Sequence, residues 1–297
     1  MDKIPTTIPR RQLGRRLRNM RQEAGMSIQD AARLIERGAG TVQRLEKGEA
    51  NRIRMLDIQA LCQIYDGMDQ VDELVELAKV AASGDGAGGL WLGADGLWQN
   101  EHRPAIRADF GLYVSLEVAA AKLTVYRPDI IDGLFQTPAY ARALDALYFP
   151  DAESEELDQR TNIRLNRQRI ITRRRNPVEV DLLLDENVLR RVVGHAEVMR
   201  RALRHLADLP ANVAVRILPF SSGYPGGIAP GPFTLLDFDR ATGEPATVFV
   251  ENFAGNIYYD RPETVARYRD AHEARKRVAL SQADSKQALR RIAREYE

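Results

Sequence analysis

A glycine-rich stretch divides this sequence into two parts of different character. Residues 81–89 read AASGDGAGG, a run of small residues without hydrophobic periodicity, which is typical of a flexible linker. The chain has 297 residues, a length that favours two domains with separate cores. We therefore predict an N-terminal domain at residues 1–80, a linker at residues 81–89 and a C-terminal domain at residues 90–297.

The first part has the apolar spacing of short amphipathic helices. Leu13, Leu17 and Met20 recur at i, i+4 and i+7, which places them on one face of a first helix. Ser27 offers an N-cap for a second helix, and a third is predicted from about Ala39 to Glu46. Two further apolar stripes complete an all-α domain of five helices.

The second part combines helical segments with strands. The apolar runs VEVDLLL, NVAVRILP, PFTLLDF and TVFVE predict strands. Helices are predicted near residues 110–122, 138–147, 154–174, 262–279 and 283–296. This mixture predicts an α/β (α+β) C-terminal domain.

Charge is distributed unevenly along the first part. Residues 1–56 carry 13 Lys and Arg against 6 Asp and Glu, whereas residues 57–80 carry one Lys against six acids. The whole chain has a formal net charge of only +1, so the asymmetry is local. A basic face on a small helical domain is expected where that face meets phosphate groups, and it favours a nucleic-acid partner.

Cysteine usage and hydropathy favour a reducing compartment. Cys62 is the only cysteine, which excludes an intramolecular disulfide and a thiolate-rich metal site. No window approaches the 18 apolar residues that would span a bilayer, and no signal-like apolar segment follows the first charges. We predict a cytoplasmic protein with no membrane partner.

The third predicted helix carries side chains of the kinds that read bases. Val42 and Leu45 face the core, which turns polar residues to the opposite face. Gln pairs with adenine and Arg with guanine, each worth about 1–3 kcal/mol of discrimination, and loop arginines hold phosphates. The predicted DNA-binding residues are Gly40, Thr41, Gln43, Arg44, Lys47, Arg52 and Arg54. The alternative is a helical bundle with ordinary surface charges.

The segment from Leu13 to Tyr65 resembles the Xre-type helix-turn-helix family of bacterial and phage repressors. The motifs RQEAGMS and VQRLEKG carry the resemblance. It implies a sequence-specific DNA-binding transcription regulator and a structural ion pair between Arg21 and Glu46. It also adds Gln29, at the start of the second helix, to the DNA contacts. We predict a homodimer on double-stranded operator DNA, because one recognition helix covers only a few base pairs.

One departure from that family lies at the start of the third helix, where this sequence reads GAG. Gly38 is an acceptable N-cap, but Gly40 supplies no side chain and costs roughly 1 kcal/mol against Ala inside a helix. Either the backbone approaches DNA closely at Gly40, or readout rests on Gln29, Gln43 and Arg44. We favour the second explanation.

From about Trp91 onward the sequence resembles a C-terminal domain of Xre-type regulators of filamentous bacteria that is described as antitoxin-like. The stretches YVSLEVAAAKLTVYRPDIIDGLFQTPAYARAL and LNRQRIITRRRNPVEVDLLLDENVL carry the resemblance, although Asp132 stands where proline usually precedes GLxQT. It implies regulation of transcription without enzymatic activity, often with a small acidic partner protein. Two functions remain open: a regulator whose C-terminal domain binds a partner protein or effector, or an antitoxin-like module that mainly sequesters a small partner.

The second part contains no recognised catalytic or metal-binding motif. Its histidines lack HExxH or similar spacing, and the loop SSGYPGGIAPG lacks nucleophile-elbow and phosphate-binding patterns, so it is a structural turn or a ligand lid. Asp185 and Glu186 follow a strand, where a catalytic pair or a helix start both fit, and we favour the helix start. We predict no enzymatic activity, no catalytic residues, no cofactor and no metal.

The helix predicted near residues 154–174 has acids first and arginines last. One interpretation is a solvated helix whose charges complement its dipole. The alternative is a docking surface for an acidic partner, because the arginine run exceeds what the dipole requires. The residues of that predicted surface are Arg160, Arg164, Arg167, Arg173 and Arg174.

Overall fold

The structure, a computed structural model, describes residues 8–83, 90–92, 108–242, 244–252 and 255–297. Contacts divide the chain into two compact units. The first takes the described residues within Met1–His102, Ile106–Leu116 and Asn252–Arg261, and the second those within Glu117–Glu251 and Pro262–Glu297. Residues 84–89 of the predicted linker lie outside the described residues, and residues 81–83 are helical. The domain boundaries near residues 80 and 90 therefore stay a prediction.

The first unit begins with the predicted succession of helices. These are α1 (Ile8–Glu23), α2 (Ile28–Leu34), α3 (Ala39–Glu46), α4 (Met55–Ile64) and α5 (Val71–Ser83), with a 3-10 helix at Met68–Gln70. The Ser27 hydroxyl accepts the Asp30 N–H at 3.1 Å and so caps α2 as predicted. A helical N-terminal region of about five helices is therefore confirmed.

The core of this helical region joins the apolar stripes of all five helices. Its largest fully buried members are Leu13, Leu17, Ile58, Leu61 and Leu74. Burial of a side chain of this size contributes about 1.5–3 kcal/mol, so these five positions hold the bundle together.

Gly14 sets the closest approach between α1 and α3. A Cβ atom at this position would lie 2.5 Å from the Leu45 carbonyl oxygen and 2.6 Å from that of Glu46. Both atoms belong to the backbone of α3 and cannot rotate away. Glycine is therefore required at position 14 for α3 to pack at this depth against α1.

The rest of the chain contains further helices and strands. In chain order they are β1 (Leu90–Leu92), α6 (Ala108–Ala119), β2 (Lys122–Arg127), α7 (Pro138–Tyr148), α8 (Ser154–Arg167), α9 (Arg169–Thr172), β3 (Glu179–Asp185), α10 (Glu186–Arg190), α11 (Ala196–Ala207), β4 (Val213–Leu218), β5 (Phe233–Asp237), β6 (Thr247–Asn252), β7 (Gly255–Tyr259), α12 (Pro262–Lys276) and α13 (Gln282–Arg294). Short 3-10 helices lie at Gly133–Phe135, Phe220–Ser222 and Arg240–Thr242.

The second unit is built on a mixed sheet with strand order β6-β5-β2-β3-β4. β2, β3 and β4 are parallel, whereas β5 is antiparallel to both β2 and β6. Leu182, Leu183 and Leu184 of the interior strand β3 are all fully buried, so both faces of the sheet are covered at this strand. In the first unit, β1 pairs antiparallel with β7, with Leu90 opposite Tyr259. The C-terminal region is therefore α+β.

Several boundaries differ from the predicted ones. α6 ends at Ala119, and Lys122, predicted as helical, begins strand β2. The long helix predicted to reach Arg174 ends as α8 at Arg167, and α9 follows at Arg169–Thr172. Asp132, which replaces the usual proline, accepts the Leu134 N–H at 3.0 Å and caps a 3-10 helix. The Asp132 carboxylate therefore stabilises the turn at this position by capping the 3-10 helix.

Candidate DNA-binding interface

α2, a tight turn and α3 form a helix-turn-helix in the first unit. Val42 and Leu45 are buried against the core, as predicted from the helical period. The predicted DNA-binding side chains therefore lie on the outer faces of the motif. Gln29, Gly40, Gln43, Arg44, Lys47, Arg52 and Arg54 are exposed, and Thr41 is half-buried.

Most arginines of the helical region are bound to other groups of the first unit. These contacts are Arg10 with the Ala50 and Ala81 carbonyls, Arg11 with Asp260, Arg15 with the Ser115 carbonyl, Arg16 with Glu73, Arg18 with the Glu46 carbonyl, Arg21 with Glu46, Arg33 with Asp30 and Arg37 with Asp57. The charges of these arginines are therefore engaged in contacts within the unit.

Four cations differ from the rest. Arg44, Lys47, Arg52 and Arg54 are exposed and form no ion pair with any described residue. All four lie on α3, directly after it, or in the connection to α4. The positive charges that are available to contact phosphates therefore lie together on one side of the motif.

The Arg21–Glu46 ion pair implied by the family resemblance is present. The Arg21 Nε and Nη2 atoms donate to the two Glu46 carboxylate oxygens at 2.6 and 3.0 Å. Glu46 is almost fully buried, and its hydrogen bond is the main cause that raises the pKa of Arg21. This bidentate pair fixes the end of α3 relative to α1.

A second ion pair, between Arg37 and Asp57, was not predicted from the sequence. The Arg37 Nε atom donates to the buried Asp57 carboxylate at 3.0 Å. This hydrogen bond raises the pKa of Arg37. It joins the turn between α2 and α3 to the first turn of α4. The only signal in the sequence was an acid early in a helix, which the helix dipole alone explains.

Gly40 lies next to the guanidinium of Arg44. A Cβ atom at position 40 would be 3.3 Å from the Arg44 Nη1 atom. The Gly38 backbone has the extended conformation of an N-cap (φ −72°, ψ 143°), but its residue supplies no capping side chain. The missing side chain at position 40 leaves room for Arg44 along the exposed face of α3, and readout through Gln43 and Arg44 stays a prediction.

Acids of the same unit already engage the main arginines predicted for partner binding. Arg167 is buried and donates to both oxygens of the fully buried Glu117 at 2.8 and 2.9 Å. Arg164 forms a bidentate pair with the buried Asp145. The docking-surface interpretation treated the arginine run as an excess of positive charge, but acids on other helices neutralise Arg164 and Arg167.

The remaining members of the predicted partner surface are less enclosed. Arg160 pairs with Glu156 at 2.8 Å and lies 3.8 Å from the centre of the Phe149 ring. Arg173 donates to two backbone carbonyl oxygens. Arg174 is exposed and has no ion pair among the described residues.

The two carboxylates at the junction of β3 and α10 make structural contacts. Asp185 accepts the Asn187 N–H at 2.9 Å and caps α10, and Glu186 pairs with Arg190 at 2.7 Å. Glu186 also accepts the Phe220 N–H at 3.0 Å. These contacts support the helix-start interpretation of the two acids.

One cluster of potential metal ligands was not recognised from the spacing of residues in the sequence. Ligand atoms of Asp181, His272 and Glu273 lie within 4.8 Å of one another. Arg216 donates to Asp181 at 2.7 Å and Lys276 donates to it at 2.5 Å. These two cations neutralise Asp181 and would compete with a metal, so the arrangement fits a partly buried ion-pair network.

Two known families match the chain. A family described as a helix-turn-helix domain matches residues 12–75, and its presence indicates a DNA-binding regulator. A family described as a domain of unknown function (DUF5753) matches residues 110–291, more than half of the chain. The searches of curated proteins and of solved structures gave no significant match. None of the described helices is long and apolar enough to cross a bilayer. The chain therefore carries a helix-turn-helix domain and belongs to the family described as a domain of unknown function (DUF5753).

Proposed function

We propose that this protein is a sequence-specific DNA-binding transcription regulator of the Xre type that acts in the cytoplasm as a homodimer. In this proposal α3 enters the major groove, where Gln43 and Arg44 contact base edges. Lys47, Arg52 and Arg54 bind phosphates and set the position of the helix on the duplex.

One observation carries the proposal: the unpaired cations of the helical region are those on and just after α3. Cations that served only solubility would be spread over the surface or paired with neighbouring acids. Here the other arginines of α1 and α2 are engaged within the unit, whereas Arg44, Lys47, Arg52 and Arg54 remain free. A helix-turn-helix with this arrangement is suited to release counterions from DNA.

We further propose that the C-terminal domain controls DNA binding through an effector or a partner protein, without catalysis. The antitoxin-like alternative comes from the family resemblance, and the arginine-rich surface was predicted separately as a docking site for an acidic partner. Because Arg164 and Arg167 neutralise buried acids of their own unit, these two arginines give no support to that docking site.

Selection from a library of random DNA duplexes by the full-length chain tests the proposal. We expect one enriched sequence with two half-sites about 10 base pairs apart. The Gln43→Ala/Arg44→Ala variant should lose this enrichment. Arg33→Ala is the matched control, because Arg33 is exposed but pairs with Asp30 on α2, and it should select the same sequence.

Binding without enrichment of any sequence would contradict the proposal, as would an unchanged selected sequence in the Gln43→Ala/Arg44→Ala variant.

A further inference from the structure

The N-terminal end of α3 has almost no side chains that could hold it in place. Gly38 is the N-cap without a capping side chain, and Ala39 and Gly40 follow it. Val42 is the first fully buried residue of the helix. The other end of α3 is fixed to α1 through Glu46. Because the N-terminal residues of a recognition helix contact base edges, the weakly held end is the one whose position matters most for readout.

The Arg37–Asp57 ion pair holds this end of α3. Arg37 directly precedes the N-cap, and its Nε and Nη2 atoms both lie 3.0 Å from the Asp57 Oδ1 atom. Asp57 is buried in the first turn of α4, where its N–H donates to the Arg54 carbonyl oxygen at 3.0 Å. Neither Arg37 nor Asp57 forms another ion pair with a described residue. The pair therefore connects the start of α3 directly to the start of α4.

The same pair closes the segment that carries the predicted DNA contacts. Residues 38–56 lie between its two members and include every predicted DNA-binding residue except Gln29. One end of this segment begins α3, which we expect to read bases, and the other end contains Arg54, which we expect to bind a phosphate. An ion pair between the two ends fixes the base-reading helix relative to the phosphate-binding connection.

We propose that Arg37 and Asp57 are positioning residues for DNA readout: their ion pair aligns the N-terminal end of α3 with the connection to α4, and neither side chain contacts the DNA. The inference rests on the proposed function, in which α3 reads bases and the connection binds phosphates. Contacts to base edges need a defined geometry, whereas phosphate contacts carry no sequence information. Loss of the pair should therefore weaken the operator complex more than the complex with a random duplex.

Asp57→Asn tests the proposal sharply, because charge alone predicts the opposite result. An acid close to the DNA-binding cations repels phosphates, so its removal by itself would strengthen binding to any duplex. If the carboxylate positions α3, Asp57→Asn should instead raise the dissociation constant of the operator complex about tenfold, the equivalent of one lost base contact. The dissociation constant of the random-duplex complex should change by less than about threefold. Fluorescence anisotropy with the full-length chain measures both.

Arg37→Gln should give the same loss on the operator with an unchanged salt dependence. A cation that contacted a phosphate would instead reduce the salt slope by about one unit for each copy bound. The matched control is Glu73→Gln, because Glu73 forms an ion pair with Arg16 that joins α5 to α1 in the same unit. This control should bind the operator as tightly as the wild-type chain.

The double variant Arg37→Gln/Asp57→Asn separates positioning from a loss of folding. It leaves no unpaired charge in the interior, so it should remain folded at the assay temperature, which circular dichroism verifies. Its operator affinity should nevertheless stay as low as that of the single variants. Wild-type operator affinity in Asp57→Asn or in the double variant, or a reduced salt slope in Arg37→Gln, would overturn this inference alone. A selection that yields no operator contradicts the proposed function and, with it, this inference.

Discussion

His272 links the stability of the second unit to pH. The side chain is fully buried, and both ring nitrogens lack a hydrogen-bond partner among the described residues. Burial lowers its pKa to about 4. Since the unfolded chain then binds the proton first, the stabilisation is present near neutral pH and is lost as the pH falls from about 6.5 towards 4.

We expect the free energy of unfolding to fall by about 2 kcal/mol more in the wild-type chain than in His272→Leu between pH 7 and pH 5. Leucine keeps an apolar group of similar size at this position but cannot bind a proton. Urea denaturation at the two pH values measures the difference. Parallel decreases in both proteins would show that His272 does not titrate in this range.

Individual residues were predictable from the sequence where the helical period alone decides their direction. Val42 and Leu45 had to face the core, so Gln43 and Arg44 had to face solvent. Pairs such as Arg167 with Glu117 were not predictable, because the partner comes from another helix 50 positions away. An arginine run has the same appearance in a sequence whether its charges are free or neutralised.

Helix α8 is held by ion pairs that the sequence interpretation assigned to an external partner. Arg167→Glu should lower the free energy of unfolding by about 3–5 kcal/mol, because it leaves the buried Glu117 without its cation and adds a second acid. Arg174→Glu, at an exposed position without a described ion pair, should change it by less than about 0.5 kcal/mol. Chemical denaturation of both variants measures the contrast, and equal effects would contradict the assignment of Arg167 to the core.

The strands with long apolar runs were predicted, and those with mixed composition were not. β3, β4, β5 and β6 fall on the four runs identified in the sequence. β2 reads KLTVYR, with a charge at each end, and directly follows helix α6, so its first residue was attributed to the helix. Its position as a central strand depends on pairing with β3 and β5, which neighbours in sequence do not reveal.

The chain as a whole has a formal net charge of only +1, so its total charge attracts DNA little. In the proposed function the attraction therefore comes from the exposed cations on and after α3. Two copies that each neutralise phosphates with Lys47, Arg52 and Arg54 would give a plot of log affinity against log salt with a slope on the order of −5. Arg44 is expected to contact bases instead. Arg44 lies on the exposed face of α3, whereas Arg52 lies in the connection to α4.

The most direct measurement compares Arg44→Ala and Arg52→Ala on the selected operator and on a random duplex. Arg44→Ala should lose about 1–3 kcal/mol on the operator and little on the random duplex, because it removes a base contact. Arg52→Ala should weaken both complexes alike and reduce the salt slope by about one unit for each copy bound. Equal losses on the two duplexes for Arg44→Ala would contradict the assignment of α3 as the helix that reads the sequence.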